Sequence, residues 1–199
     1  MTEASSIATA SARFPWTKGK IIGAKPPLRP KHVWSIRTKL QVENRIRDLA
    51  LFNLAIDSKL RGCDVVALKV DDVAPAVTRL NVPRCGRRRL VARLGSNSPR
   101  RQAIEDYVKA ADKKLGQYLF TGGSNRSLTT RQYSRLVREW IASIGLDPRL
   151  FGTHSLRRTK ATLIYRRTGN LRAVQLLLGH TKIESTVRHL GIAVDDALQ

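Results

Sequence analysis

The chain has 199 residues, 42% of them hydrophobic, which suits one domain with a single sizeable core and excludes a fibrous or wholly disordered protein. Its 37 Lys and Arg against 15 Asp and Glu leave a formal charge of +22, so the expected partner is a polyanion, phosphate backbone before any other. No unbroken apolar run reaches membrane-spanning length, so no membrane partner is expected.

In chain order, residues 1–30 mix Ser, Ala, Lys, Gly and Pro without sustained periodicity and read as a basic, disordered arm. From Lys31 to Leu60, Val33, Ile36, Leu40, Ile46, Leu49, Phe52, Leu54 and Ile56 recur at helical spacing, broken near Glu43-Asn44, which predicts two helices. Cys63 to Val73 reads as a short helix leading into an extended segment. The cysteines Cys63 and Cys85 make no disulfide framework or zinc-site spacing, and two unpaired thiols are expected.

Ala74 to Arg101 differs in composition from the rest. Pro75, Pro83 and Pro99 punctuate a run of arginines from Arg79 to Arg101, and strand alternation is weak. With its concentration of like charge, 74–98 is expected to be less ordered than the helices around it. Ser98-Pro99 then supplies an N-cap and first helical residue for a helix carrying Ala103, Ile104, Tyr107 and Val108. Ser127 or Thr129 starts a helix through Tyr133, Leu136, Val137, Trp140 and Ile141 that stops at Gly145. Another spans Ser155 to Thr168 with Gly169 as its C-terminal cap. Asn170 caps a third that ends at Gly179, and Thr181 with Glu184 has capping-box spacing for a last helix ending near Gly191. The fold class is therefore mainly α with a small β insertion.

Chemistry concentrates in the C-terminal third. Thr153-His154-Ser155-Leu156-Arg157 sets an imidazole and a guanidinium three residues apart, on one face of a helix start, where backbone N–H groups also favour anions. Leu178-Gly179-His180 and Val187-Arg188-His189-Leu190-Gly191 follow. Each piece alone is weakly specific: a His-x-x-Arg pair is common in basic proteins, Arg61 is equally an ordinary cation at a helix C-terminus, and His180 equally a C-cap histidine.

Together, in this order, the runs from His154 to Arg157, Leu176 to His180 and Ser185 to Leu190 resemble the C-terminal signature of the tyrosine recombinases, the phage-integrase family. Leu60-Arg61-Gly62-Cys63-Asp64 resembles that family's first-arginine motif. The resemblance covers roughly 31–198, with a gap from Ala74 to Arg101, and makes 31–199 a catalytic domain. It implies double-stranded DNA as partner, with copies of the chain assembling on it, and a cytoplasmic, nucleoid-associated location. In the family a tyrosine attacks a DNA phosphodiester without metal or high-energy cofactor, and a hairpin lysine protonates the departing 5′-oxygen. Carried over, Arg61 and Arg157 would clamp the phosphate, His154 would position it and transfer protons, and His180 would donate a hydrogen bond to it. Fixed guanidinium forks suit the charge that develops on the non-bridging oxygens.

Two departures stand against this pattern. His189 occupies the nucleophile position, and its nitrogen reaches about 2 Å less far than a phenol oxygen, where a misplacement of about 1 Å costs on the order of a hundredfold. The other nearby tyrosine, Tyr165, lies within a helix beside Leu163 and Ile164 and reads as core. Ala74 to Arg101 also contains no lysine. Under one choice of codons, a family-type hairpin read one base late gives a string close to Arg89-Leu90-Val91-Ala92-Arg93-Leu94-Gly95-Ser96-Asn97-Ser98-Pro99. The expectation is a pair of compensating frameshifts around this segment. Three functions follow from the sequence: a recombinase or integrase impaired at residue 189, a catalytically inactive DNA-binding module of the same fold, and a general basic nucleic-acid-binding protein with an accidental motif.

Overall fold

A computed structural model describes residues 25–73, 99–123 and 126–191, the side chains of 99–101 excepted. The described residues are mainly helical, in the order α1 (Pro30–Val42), α2 (Ile46–Ser58), α3 (Gly62–Val66), α4 (Val70–Val73), α5 (Pro99–Ala110), α6 (Thr130–Ser143), α7 (Thr153–Thr168), α8 (Leu171–Leu178) and α9 (Ile183–Leu190). The proposed β insertion and frameshifted segment, 74–98, lie outside the described residues. Within them, β pairing is limited to two isolated antiparallel bridges, Lys69 with Tyr118 and Thr121 with Ser127.

Pro30 opens α1, where its missing N–H costs nothing, and Val33, Ile36 and Leu40 fall on one buried face. The break expected at Glu43-Asn44 is present, with Asn44 at φ 52°. From Ala50 to Ser58 every residue of α2 is buried. That makes α2 the central helix, with α1, α5 and α7 packed around it. Its polar residues are paired: Asp48 holds Arg45, Arg47 (3.0 Å) and the Trp140 indole N–H (3.5 Å), and Asp57 holds the Lys160 ammonium at 2.8 Å. The extended segment expected before Val73 is instead a second short helix, α4. Lys69 bridges Tyr118, and the Asp72 carboxylate accepts from the Lys69 N–H, which turns the chain back into a helix.

Thr129, one of the two starts considered, caps α6 by accepting from the Gln132 N–H, and Gln132 in turn accepts from the Thr129 N–H. Helix α7 begins two residues earlier than expected, after Gly152, and the Ser155 hydroxyl accepts from the Gly152 N–H. Asn170 caps α8 through the Ala173 N–H, as its position predicted. The capping box expected for α9 does not form. Lys182 is the N-cap residue and offers no side-chain bond, while the Thr181 carbonyl accepts from the Gln175 side chain. That bond holds residues 180–182 in a turn.

The N-terminal arm ends earlier than the sequence suggested. Leu28 is buried, its N–H donates to the Thr159 hydroxyl at 3.0 Å, and the Lys25 ammonium donates to the Phe151 carbonyl at 3.0 Å, so residues 25–29 lie along α7. One large core joins α1, α2, α5, α6 and the start of α7. A small second core of Ala161, Val174, Leu178 and Leu190, with Ile164, Tyr165 and Leu171 against it, fastens α8 and α9 to α7. Tyr165 is therefore partly buried packing, as its apolar neighbours implied. Among the described residues no helix is long and apolar enough to cross a membrane.

Candidate functional site: a cluster of arginines and histidines

The site is assembled by three chain turns. Arg61 stands at the N-cap of α3, just after Lys59 at φ 56° ends α2. Gly62 beside it packs on the start of α7: a β-carbon there would lie 3.6 Å from the Thr153 Cβ and 3.5 Å from the Tyr133 ring. This contact carries Arg61 to the face of α7 that bears His154 and Arg157. The second turn is the Gly179 cap of α8, at φ 69°, which releases His180; the third is the last turn of α9, which bears His189.

Arg157 is half-buried, and its Nε has no hydrogen-bond partner among the described residues. Burial and the neighbouring Arg61 charge lower its pKa, with Asp64 and Cys63 working the other way. A guanidinium so placed favours an anion, because an unmet buried donor costs roughly 1–3 kcal/mol. The Cys63 thiol is exposed and unpaired, and Cys85 lies outside the described residues.

The His180 ring sits 3.0 Å, Nδ1 to Oγ1, from the buried Thr186 hydroxyl. Its backbone is held from both sides, since its N–H donates to the Gln175 carbonyl and its own carbonyl accepts from the Gln175 side-chain amide. Burial, then Arg157 and Arg61, keep its pKa below the ordinary histidine value. His189 meets His180 edge to face, with ring centres 5.5 Å apart at 79°. Its Nε2 is buried and has no partner among the described residues. Burial, followed by the charges of Arg157, His180, Arg158 and His154, lowers its pKa to about 4, so the ring is neutral near pH 7.

The five sequence-predicted residues form one electrostatic cluster: Arg157 lies near Arg61, His180 near both arginines, and His189 near Arg157, His180 and His154. His154, His180 and His189 line a cavity of about 480 Å³ with Lys25, Arg158, Ser185 and Arg188. Those four were not singled out from sequence. Lys25 comes from the supposed arm, and Arg158 is a buried cation whose guanidinium donates to the Lys25 carbonyl and lies under Gly191. No sequence pattern marks either, because their partners are over 30 residues away along the chain. Ser185 and Arg188 lay inside the recognised run, and their spacing on α9 relative to His189 was the available signal. Among the described residues no three His, Cys, Asp or Glu side chains are grouped as a metal site requires.

Two guanidiniums and three imidazoles, with no carboxylate lining the cavity, form an anion-binding arrangement rather than a metal-binding one. The sequence itself matches the Phage integrase family over residues 28–193. The chain belongs to the phage integrase family. Among this family's members, tyrosine recombinase XerC of Neisseria gonorrhoeae is 32% identical over 175 residues, covering 81% of this chain and 56% of that protein. The probable integrase/recombinase YoeC of Bacillus subtilis is 34% identical over 151 residues, covering 75% of this chain and 80% of YoeC. The chain therefore spans little more than half the length of the first of these relatives. In fold it is similar to XerA recombinase, with a TM-score of 0.64 at 20% identity over 85% of this chain and 61% of that one. It is also similar to the Tn1549 transposon integrase, solved with transposon right end DNA, with a TM-score of 0.62 at 19% identity over 94% of this chain and 68% of that one. In this chain the start of α7, the turn after α8 and the helix α9 meet at the cavity, and Arg61 stands near Arg157 behind it.

Proposed function

We propose that this chain binds double-stranded DNA, holds one phosphodiester between Arg61, His154, Arg157 and His180, and belongs to the machinery of site-specific recombination or integration by cleavage and rejoining. The observation that carries the reading is Arg157: a half-buried guanidinium with an unmet Nε, beside a second arginine and facing histidines, is matched by an oxyanion with several acceptor oxygens. Solved neighbours of this fold, the Tn1549 integrase and the XerH recombinase, are complexes with their DNA substrates, which supports DNA as the partner here. Copies of the chain on one DNA accord with the same reading.

Cleavage by this chain is impaired. In the family reaction the residue at 189 forms the bond to phosphorus as the bond to the 5′-oxygen breaks, and that oxygen takes up a proton. The His189 ring is in the free-base form, but its Nε2 is buried and reaches about 2 Å less far than a phenol oxygen would, which works against in-line attack. The buried Nε2 also favours the second reading, a DNA-binding module of this fold that does not cleave at all.

A suicide-substrate assay separates these readings. The native chain should give no covalent adduct, and His189→Tyr should give slow cleavage, fastest on a bridging-phosphorothioate substrate whose leaving group needs no proton. Cleavage by His189→Tyr establishes an intact clamp. No cleavage on either substrate favours the non-cleaving module. An acid-labile, alkali-stable adduct from the native chain, lost in His189→Ala, would identify a phosphohistidine and overturn the impaired reading.

A further inference from the structure

A second cavity, of about 750 Å³, opens at the turn between α8 and α9 and is lined by Arg172, Gln175, Thr181, Lys182, Ser185 and Arg188. Ser185 and Arg188 line the first cavity as well, so the two adjoin along one face of α9. Three cations and two hydroxyls face the space. Glu184 stands at its rim as the opposing carboxylate, yet among the described residues none of the three cations is ion-paired with it or with any other carboxylate. Arg172 instead donates to the side-chain oxygen of Gln175 at 2.7 Å.

Gln175 is the unusual member. It is 2% exposed, and its amide nitrogen donates to the carbonyls of His180 and Thr181, both at 3.1 Å. A chain of hydrogen bonds therefore runs from Arg172, at the second cavity, to the backbone that presents His180 to the first. Gln175, its one buried member, leaves no slack, because a broken bond there strands a polar group without water.

We propose that the second cavity is a phosphate site that takes the backbone phosphate next to the one held by Arg61, His154, Arg157 and His180, so that one DNA strand is gripped at two consecutive linkages. The inference rests on the DNA-binding reading above. It adds that occupancy of the second cavity is felt at His180 through Arg172 and Gln175. Arg172 and Lys182 hold the neighbouring phosphate, and Arg188 and Ser185 lie between the two. A phosphodiester and a free phosphate ion share this chemistry, so the test must separate them.

The experiment follows the Gln175 side-chain amide and the His180 imidazole by ¹⁵N NMR in the full chain, titrated with a duplex oligonucleotide and, separately, with inorganic phosphate. Duplex should move both signals. The variant carrying Arg172→Gln and Lys182→Gln should lose the Gln175 response, keep only the part of the His180 response that comes from the phosphate beside it, and bind duplex roughly tenfold more weakly at 0.1 M salt. Its log K against log salt should be shallower by about one to two. A Gln175 amide unmoved by duplex, or an unchanged salt slope in the variant, overturns the second site. Saturation by inorganic phosphate at concentrations below those at which duplex acts would assign the cavity to a small anion and overturn the DNA-backbone assignment. Failure of the native chain to bind duplex would sink the function proposed above, while the phosphate titration would still read the second cavity directly.

Discussion

At residue 189 the physical conflict is between burial and charge. The His189 pKa, lowered from 6.5 to about 4, means that the unfolded chain takes up a proton at a pH where the folded chain does not. Its contribution to stability is therefore present above pH 6.5 and lost as pH falls toward 4, by an amount that solvent screening of the half-buried ring keeps well below the roughly 3 kcal/mol of the full shift. Unfolding by denaturant should show this slope in the native chain, and His189→Phe should flatten it. His180, lowered for similar reasons, adds to the slope in the same direction and remains in the variant. An unaltered slope in His189→Phe would place the acid sensitivity elsewhere. The candidate residues themselves were legible in the sequence because they lie in short runs of fixed order. What no run could reveal was the environment of each one, such as the buried Thr186 hydroxyl against His180 or the unmet Nε of Arg157.

Among the elements, α7 and α9 decide whether the cavity keeps its shape. The end of α9 is packed on Arg158: Gly191 has φ 67°, and a β-carbon there would fall 2.7 Å from the Arg158 guanidinium, which is itself held by the Lys25 carbonyl. Gly191→Ala should therefore cost about 1–2 kcal/mol, from the left-handed backbone and the displaced arginine together, read as a lowered unfolding midpoint. On its other side α7 is tied to the central helix by Lys160 and the buried Asp57. Lys160→Met should destabilise by about 2 kcal/mol, less than a fully buried pair would, because Lys160 is partly exposed. Helix α6 offers a control remote from the cavity: Thr129→Ala removes the cap bond to Gln132 and should cost about 1 kcal/mol, with no effect on DNA binding. Helix starts and stops marked by Pro99, Thr129, Asn170, Gly169 and Gly179 were readable, since caps act within four residues. The start of α9 was misread because its polar turn is satisfied by Gln175 from another helix.

For the molecule as a whole, a charge of +22 sets the expected behaviour toward DNA. Affinity for duplex should fall steeply with salt and vary little with sequence, since each neutralised phosphate contributes a slope of about −0.9 in log K against log salt. Fluorescence anisotropy across a salt series checks it, and salt-independent binding would contradict the proposed partner. The sequence by itself determined the mainly helical class, the order of the longer helices, the family and the five candidate site residues. All of these follow from apolar periodicity, local capping and short motifs, which depend on neighbours in the chain. Only the tertiary structure decided that residues 25–29 lie on α7, that Arg158 sits under Gly191, and that Gln175 links two cavities. Each of these joins side chains or backbone brought together by folding, some of them more than 100 residues apart, and such contacts are fixed by how the helices pack on α2 and α7 and by no local pattern.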